Sequence, residues 1–250
     1  MSVRAVIFDL DGTLVQTEKI KAHSYAKALQ EISPDVIQEE DVIEVYKSLV
    51  GLSRADVASG LLVGFNLEKA AGTRMAEFEV TTPWQAFVQI RLKYYEELIL
   101  DAQIIQENTW PYTMSLLGDV RRKGYKLGLA TMSYCPQVNH ILGALNLRDT
   151  FHFVASRDDV EHGKPDPEIY QLVAKVLGIP AGECLVIEDS PGGVKSALAA
   201  GMRVIAVPTQ FTKTAFQQTS ILDSRWVVHD PSLLQTVFNE ITYGIESGAF

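Results

Sequence analysis

The apolar positions of this chain fall into two kinds of run. Short, near-continuous runs rich in β-branched residues occur at Val3–Leu10, Lys126–Met132 (KLGLATM), Phe151–Ser156 (FHFVAS), Cys184–Glu188 (CLVIE) and Arg203–Pro208 (RVIAVP). A weaker sixth lies at Arg225–Asp230 (RWVVHD). Runs without polar alternation predict strands covered on both faces, as in a parallel sheet. Between them the apolar spacing lengthens to a helical period. Pro136–Leu145 puts Val138, Ile141, Leu142 and Leu145 on one face. Asp166–Leu177 reads as a helix with an Asp cap, Pro167 in its first turn and Gly178 as its stop. Ser190–Ala200 repeats that design, with Pro191 after the cap and Gly201 at the end. Strand–helix alternation after residue 110 predicts a doubly wound α/β sheet.

The stretch from Thr17 to Asn108 has no convincing strand. Thr82, Pro83 and Gln85 form a capping box that opens a long amphipathic run to Leu100. The expected organisation is therefore an α/β core, residues 1–16 and 109–250, with a helical insert, residues 17–108, after the first strand. No internal repeat or low-complexity linker interrupts it.

Composition narrows the function. The chain has 250 residues, 47% apolar and 21% charged, which excludes a disordered or collagen-like chain. Its 22 Lys+Arg against 31 Asp+Glu leave a net charge of −9, without the cationic footprint of a nucleic-acid binder. A locally cationic pocket for a small anion remains compatible with that charge. Aspartates at 9 and 11 exclude a signal-peptide core, and no run reaches the length of a membrane span. Two distant cysteines, Cys135 and Cys184, have no metal spacing. A cytoplasmic protein without a membrane partner, a monomer or weak homodimer, is expected.

In an open parallel sheet, ligands bind beyond the carboxyl ends of the strands. Those ends carry Asp9 with Asp11, then Thr131 with Ser133, then Glu188 with Asp189, while Lys164 lies just ahead of a helix. Four carboxylates would repel one another without a cation, and hard oxygen ligands suit Mg²⁺. A carboxylate can attack phosphorus, and a second can carry the proton of the leaving group. A lysine and a hydroxyl would bind phosphoryl oxygens, and Gly12 would let the backbone turn beside them.

The segments FDLDGT (Phe8–Thr13), LATMS (Leu129–Ser133), HGKPDPEIY (His162–Tyr170) and VIEDSPGGVKSALAAGM (Val186–Met202) resemble the four motifs of the haloacid-dehalogenase (HAD) superfamily. The resemblance implies a Rossmann-like core with a helical cap. It implies Asp9 as nucleophile, Asp11 as general acid/base, and Thr131 and Lys164 on the phosphoryl group. It also implies Mg²⁺ on Asp9, Asp189 and the Asp11 carbonyl, with Glu188 as a further ligand or support. The superfamily's dehalogenases lack the second aspartate, so Asp11 argues for phosphoryl transfer.

The loop GLSRADV (Gly51–Val57) is similar to one in the β-phosphoglucomutase-like branch and makes Arg54 its arginine. Two positions depart from that branch: Lys21 stands where it has a histidine, and Val50 where it has a lysine. A phosphatase of a small phosphorylated metabolite is therefore expected over a phosphosugar mutase, with Lys21 and Arg54 meeting the leaving group. His23, Trp84, Tyr94 and Tyr95 read as structural, and the role of residues 61–82 is not legible.

Overall fold

The computed structural model describes residues 2–50 and 52–244. The chain runs β1 (Ala5–Phe8), α1 (Thr17–Ile32), α2 (Glu39–Leu49), α3 (Arg54–Gly64), α4 (Glu68–Thr73), α5 (Pro83–Leu100), α6 (Ala102–Glu107) and α7 (Pro111–Arg122). It then alternates through β2 (Lys126–Ala130), α8 (Cys135–Ala144), β3 (Phe153–Ala155), α9 (Glu168–Leu177), β4 (Cys184–Glu188), α10 (Pro191–Ala199) and β5 (Arg203–Ala206). Helices α11 (Lys213–Gln217) and α12 (Leu234–Tyr243) follow. Two compact units result, Met1–Gln16 with Ile105–Phe250, and Thr17–Ile104.

All four side chains of β1 are buried, so the strand has no face for solvent and takes the centre of the sheet. The five strands are parallel in the order β3-β2-β1-β4-β5, a Rossmann-like α/β arrangement. The chain builds outward from β1 through β2 to β3, then crosses to β4 on the other side. That reversal makes the carboxyl ends of β1, β2 and β4 a switch point, where such sheets leave a crevice.

The sixth apolar run is not a strand. Asp223 accepts from the Arg225 N–H and opens a 3₁₀ turn over Ser224–Trp226. Asp230 accepts from the Ser232 N–H and opens another at Pro231. Capped from both sides, the run keeps one bridge, Ala206 to Val227. The helix expected from Asp166 begins two residues later; Asp166 caps it from outside by accepting the Glu168 N–H. Helices α7 and α12, which pack on each other, are additions to the sequence reading.

The second unit is helical throughout, and α5 is its central element, packing on α1, α3 and α4. The Thr82–Gln85 capping box is present at its start. The unit closes at Ile104, four residues before the boundary expected from the sequence. The chain leaves and re-enters the sheet-bearing unit side by side, with the Gln16 N–H on the Asn108 carbonyl at 2.7 Å. Residues 61–82 contain the end of α3, α4 and a 3₁₀ turn at Met75–Phe78. Arg74 fastens this stretch by pairing with Glu31 and Glu77. Among the described residues no helix is long and apolar enough to cross a membrane.

Candidate active site

β1 delivers Asp9 one residue past its last paired position, where the Asp9 N–H still donates to Ile187 at 3.0 Å. The chain then folds back on itself, the Gly12 N–H meeting the Val15 carbonyl at 2.7 Å. Gly12 sits at φ +83°, and a Cβ there would lie 2.2 Å from Asp189 Oδ2. Only glycine lets this turn press against that carboxylate.

Asp9 is buried. Its Oδ1 accepts from Lys164 Nζ at 2.7 Å, while Oδ2 is buried with no hydrogen-bond partner among the described residues. Lys164 spends its other two protons on Glu188 Oε1 at 2.7 Å and the Ala130 carbonyl at 3.1 Å. Glu188 is held in turn by the Tyr170 hydroxyl at 3.1 Å and by the N–H and hydroxyl of Ser190 at 2.9 and 3.0 Å. Both Glu188 oxygens are thus engaged, and the residue anchors Lys164. A Cβ on Gly193 would sit 1.6 Å from Glu188 Oε1, so α10 can start this close only with glycine there. Asp11 stands beside Asp9, its Oδ2 accepting from the hydroxyls of Thr131 and Ser133, each at 2.8 Å.

Oxygens of Asp9, Glu188 and Asp189, all buried, lie within 4.8 Å of one another. Two carboxylates at that separation repel by about 3 kcal/mol at an effective dielectric of about 20. With all three ionised, Lys164 supplies one positive charge against three negative ones. The orphaned Asp9 oxygen and the surplus charge both fit a divalent cation. Hydroxyls and an ammonium beside it fit an oxyanion.

Residues 3–201 match the haloacid dehalogenase-like hydrolase family. The phosphoglycolate phosphatase of Escherichia coli (strain K12) is 32% identical over 207 residues, 80% of this chain and 79% of that one. This chain belongs to the haloacid dehalogenase-like hydrolases. Solved structures share the fold of this hydrolase. A HAD family hydrolase from Deinococcus radiodurans, with bound phosphate and sodium, superposes with TM-score 0.72, 21% identity and 99% of each chain covered. β-Phosphoglucomutase from Clostridium difficile gives TM-score 0.63 at 24% identity, over 96% of this chain and 98% of its own.

The electrostatics of the hydrolase's cluster follow from its burial. Burial, opposed by Lys164 and reinforced by Glu188 and Asp11, pushes the Asp9 carboxyl up to about 8. Burial also disfavours the Lys164 charge, but Asp9 and Glu188 outweigh it and hold the ammonium well above the lysine range. A cation held by Asp9 would need the carboxylate, so its binding below pH 8 would displace a proton. Affinity for a divalent ion should rise with pH and level off near pH 8. Titration calorimetry in buffers of different ionisation enthalpy measures that proton release; a heat independent of buffer at pH 6.5 would refute it.

Lys21 and Arg54 belong to the helical unit of the hydrolase, where they line one cavity with Glu18, Tyr25, Tyr46 and Arg91. Lys21 pairs with Glu18 at 2.8 Å. Arg54 is the first residue of α3, and Gly51 of the same loop lies outside the described residues. Arg91 escaped the sequence reading. Its signal was a charged residue at four-residue spacing between Phe87 and Tyr95, on the buried stripe of α5. Of the residues read as structural, Tyr95 is buried, His23 pairs with Glu39, and Tyr94 donates to Glu31 at 2.8 Å.

Proposed function

We propose that this hydrolase is a phosphatase of a small phosphorylated metabolite and works through a phosphorylated Asp9. The observation that carries the reading is Asp9 itself: one oxygen held by Lys164, the other buried and unpartnered. An oxygen of Asp9 forms a bond to phosphorus as the bond to the leaving alcohol breaks. Asp11 gives that alcohol its proton, then takes one from the water that attacks the phosphoryl group and frees Asp9. Lys164 opposes the charge on the phosphoryl oxygens, and the Thr131 and Ser133 hydroxyls turn from Asp11 to donate to them. Asp9, Asp189 and the Asp11 carbonyl would hold Mg²⁺, which supplies further positive charge against those oxygens. Glu188 keeps Lys164 in place at its edge.

The second aspartate and the phosphatase named among the relatives support hydrolysis. Against a mutase, Lys21 is already neutralised by Glu18, and Val50 adds no charge to the same cavity. The net charge of −9 and two unpaired cysteines support a cytoplasmic protein whose partner is a metabolite rather than nucleic acid or membrane.

A panel of phosphomonoesters with Mg²⁺ tests the reading. Phosphate release is expected, lost on exhaustive chelation and inhibited by Ca²⁺, whose larger shell accepts bidentate carboxylates and would occupy the nucleophile. Full activity after chelation would remove the metal. A sugar phosphate isomerised without phosphate release would make the protein a mutase.

A further inference from the structure

Asp189 follows β4 directly, outside the ladders that β4 forms with β1 and β5. It is buried, and its carboxylate shares a cluster with those of Asp9 and Glu188. Once ionised, these neighbours repel it. Lys164 does not hold it in place, because that ammonium spends all three protons on Asp9, Glu188 and the Ala130 carbonyl. The direction of the Asp189 side chain therefore depends on how its backbone is fixed.

That backbone is tied on both sides. The Glu188 carbonyl accepts from the Val207 N–H at 2.7 Å, which fixes the peptide before Asp189. The peptide after it is held at both ends. Its N–H, that of Ser190, donates to Glu188 Oε2 at 2.9 Å, and its carbonyl accepts from the Thr212 hydroxyl at 2.7 Å. Thr212 is buried in the loop after β5, 23 residues further on. The same hydroxyl oxygen accepts the Thr209 N–H at 2.9 Å. The Thr209 carbonyl takes the N–H groups of Thr212 and Lys213, and the Thr209 hydroxyl takes that of Phe211 at 3.2 Å. A closed turn thus presents one hydroxyl to one carbonyl. With both flanking peptides fixed, Asp189 keeps only its side-chain torsions. The Gly12 turn limits those on one side, since a Cβ there would lie 2.2 Å from Asp189 Oδ2.

We propose that Thr212 is a positioning residue: by fixing the peptide after Asp189 it aims that carboxylate into the cluster and sets the affinity of the cluster for a divalent ion. The inference rests on the cation reading of Asp9 and Asp189 given above and adds to it a residue far outside both segments. A hydroxyl that bonds the backbone of a ligand acts as an outer-shell partner does. It removes freedom the ligand would otherwise lose on binding the ion. Without it the carbonyl and the Thr209 N–H are left buried and unpaired, and relief comes by turning the peptide that carries Asp189.

Mn²⁺ tests this without turnover, because electron paramagnetic resonance counts the free ion and gives the dissociation constant of the intact protein at fixed pH. Thr212→Val keeps the shape and removes the hydroxyl; the constant should rise about 10- to 100-fold, the usual effect of losing an outer-shell partner. Thr212→Ser restores the donor and should stay within about threefold of the parent. Thr209→Val separates aim from packing. It weakens the same turn but removes no bond to Asp189, so it should lower the melting temperature and leave the constant in place. If Mg²⁺ supports turnover, Thr212→Val should raise the Mg²⁺ concentration for half-activation and leave kcat at saturating Mg²⁺ within about threefold. A constant in Thr212→Val equal to the parent's, or a rise matched by Thr209→Val, overturns the proposal. Should Thr212→Val fail to fold, Thr212→Cys replaces it: its thiol is a weak donor of similar size, so an intermediate rise is expected and a parent-like constant overturns the proposal as well. A parent that binds no Mn²⁺ ends the cation reading of the cluster and this proposal with it, whereas binding that survives Thr212→Val ends this proposal alone.

Discussion

Asp9→Asn is expected to abolish phosphate release, a loss on the order of 10⁴-fold or more. A neutral amide is a poor nucleophile and a poor cation ligand, so one change removes both proposed functions of Asp9. The fold should survive it. The amide oxygen can still accept from Lys164, which also keeps Glu188 and the Ala130 carbonyl as partners. In the metal-free protein the variant should even melt higher. The Asp9 carboxyl moves from 3.8 to about 8 on burial, so its ionisation is disfavoured in the folded state. An acid with a raised folded pKa withdraws stability as pH climbs from its unfolded value toward its folded one. The advantage of Asp9→Asn in chelator should thus grow between pH 4 and pH 8. Melting curves across that range check this sign, and wild-type turnover in the variant would end the Asp9 mechanism.

Asp11→Asn should lower kcat by about 10²- to 10⁴-fold, the range of a single general acid/base. The Thr131 and Ser133 hydroxyls that grip Asp11 Oδ2 can donate to an amide oxygen in the same place. The carbonyl proposed to meet the cation belongs to the backbone and is unchanged. The loss should depend on the leaving group. An alkoxide needs a proton to depart, whereas p-nitrophenolate leaves nearly unaided. The first step with p-nitrophenyl phosphate should accordingly suffer far less than with an alkyl phosphate, seen as a pre-steady-state burst of p-nitrophenol. A misfolded or metal-depleted variant would lose both substrates equally. Equal losses in a variant that melts like the parent and binds the metal as well would deny Asp11 its proton-transfer role.

The two replacements mark how unevenly the site could be read from the chain. Asp9 and Asp11 announce themselves locally, because a β-branched run that ends in D-x-D-G needs no distant partner to be recognised. Lys164 sits 155 residues from Asp9, and its three acceptors come from three different strand ends. Its residue type was legible within a motif; its saturation by Asp9, Glu188 and Ala130 was not. Glu188 shows the same limit. Sequence leaves it between ligand and support; folding adds the hydrogen bonds from Tyr170, Ser190 and Lys164 to its oxygens and its place in one carboxylate cluster with Asp9 and Asp189.

By itself the sequence determined what depends on neighbours along the chain. It set the five core strands, the capping box at Thr82, the helical character of the insert, and the order in which acid, hydroxyl and lysine arrive. Periodicity and capping are short-range effects, and they suffice for such elements. Tertiary structure decided what depends on partners far away in sequence. It reduced the run at Arg225–Asp230 to a single bridge, because the side chains of Asp223 and Asp230 claim the backbone N–H groups on either side. It turned Arg91 from one more charge on α5 into a buried cation whose Nε finds no acceptor among the described residues, because α1 and α5 bring Tyr25 and Tyr95 against the guanidinium. Charge and polarity are properties of a residue, but burial and satisfaction belong to its surroundings, and only folding supplies those.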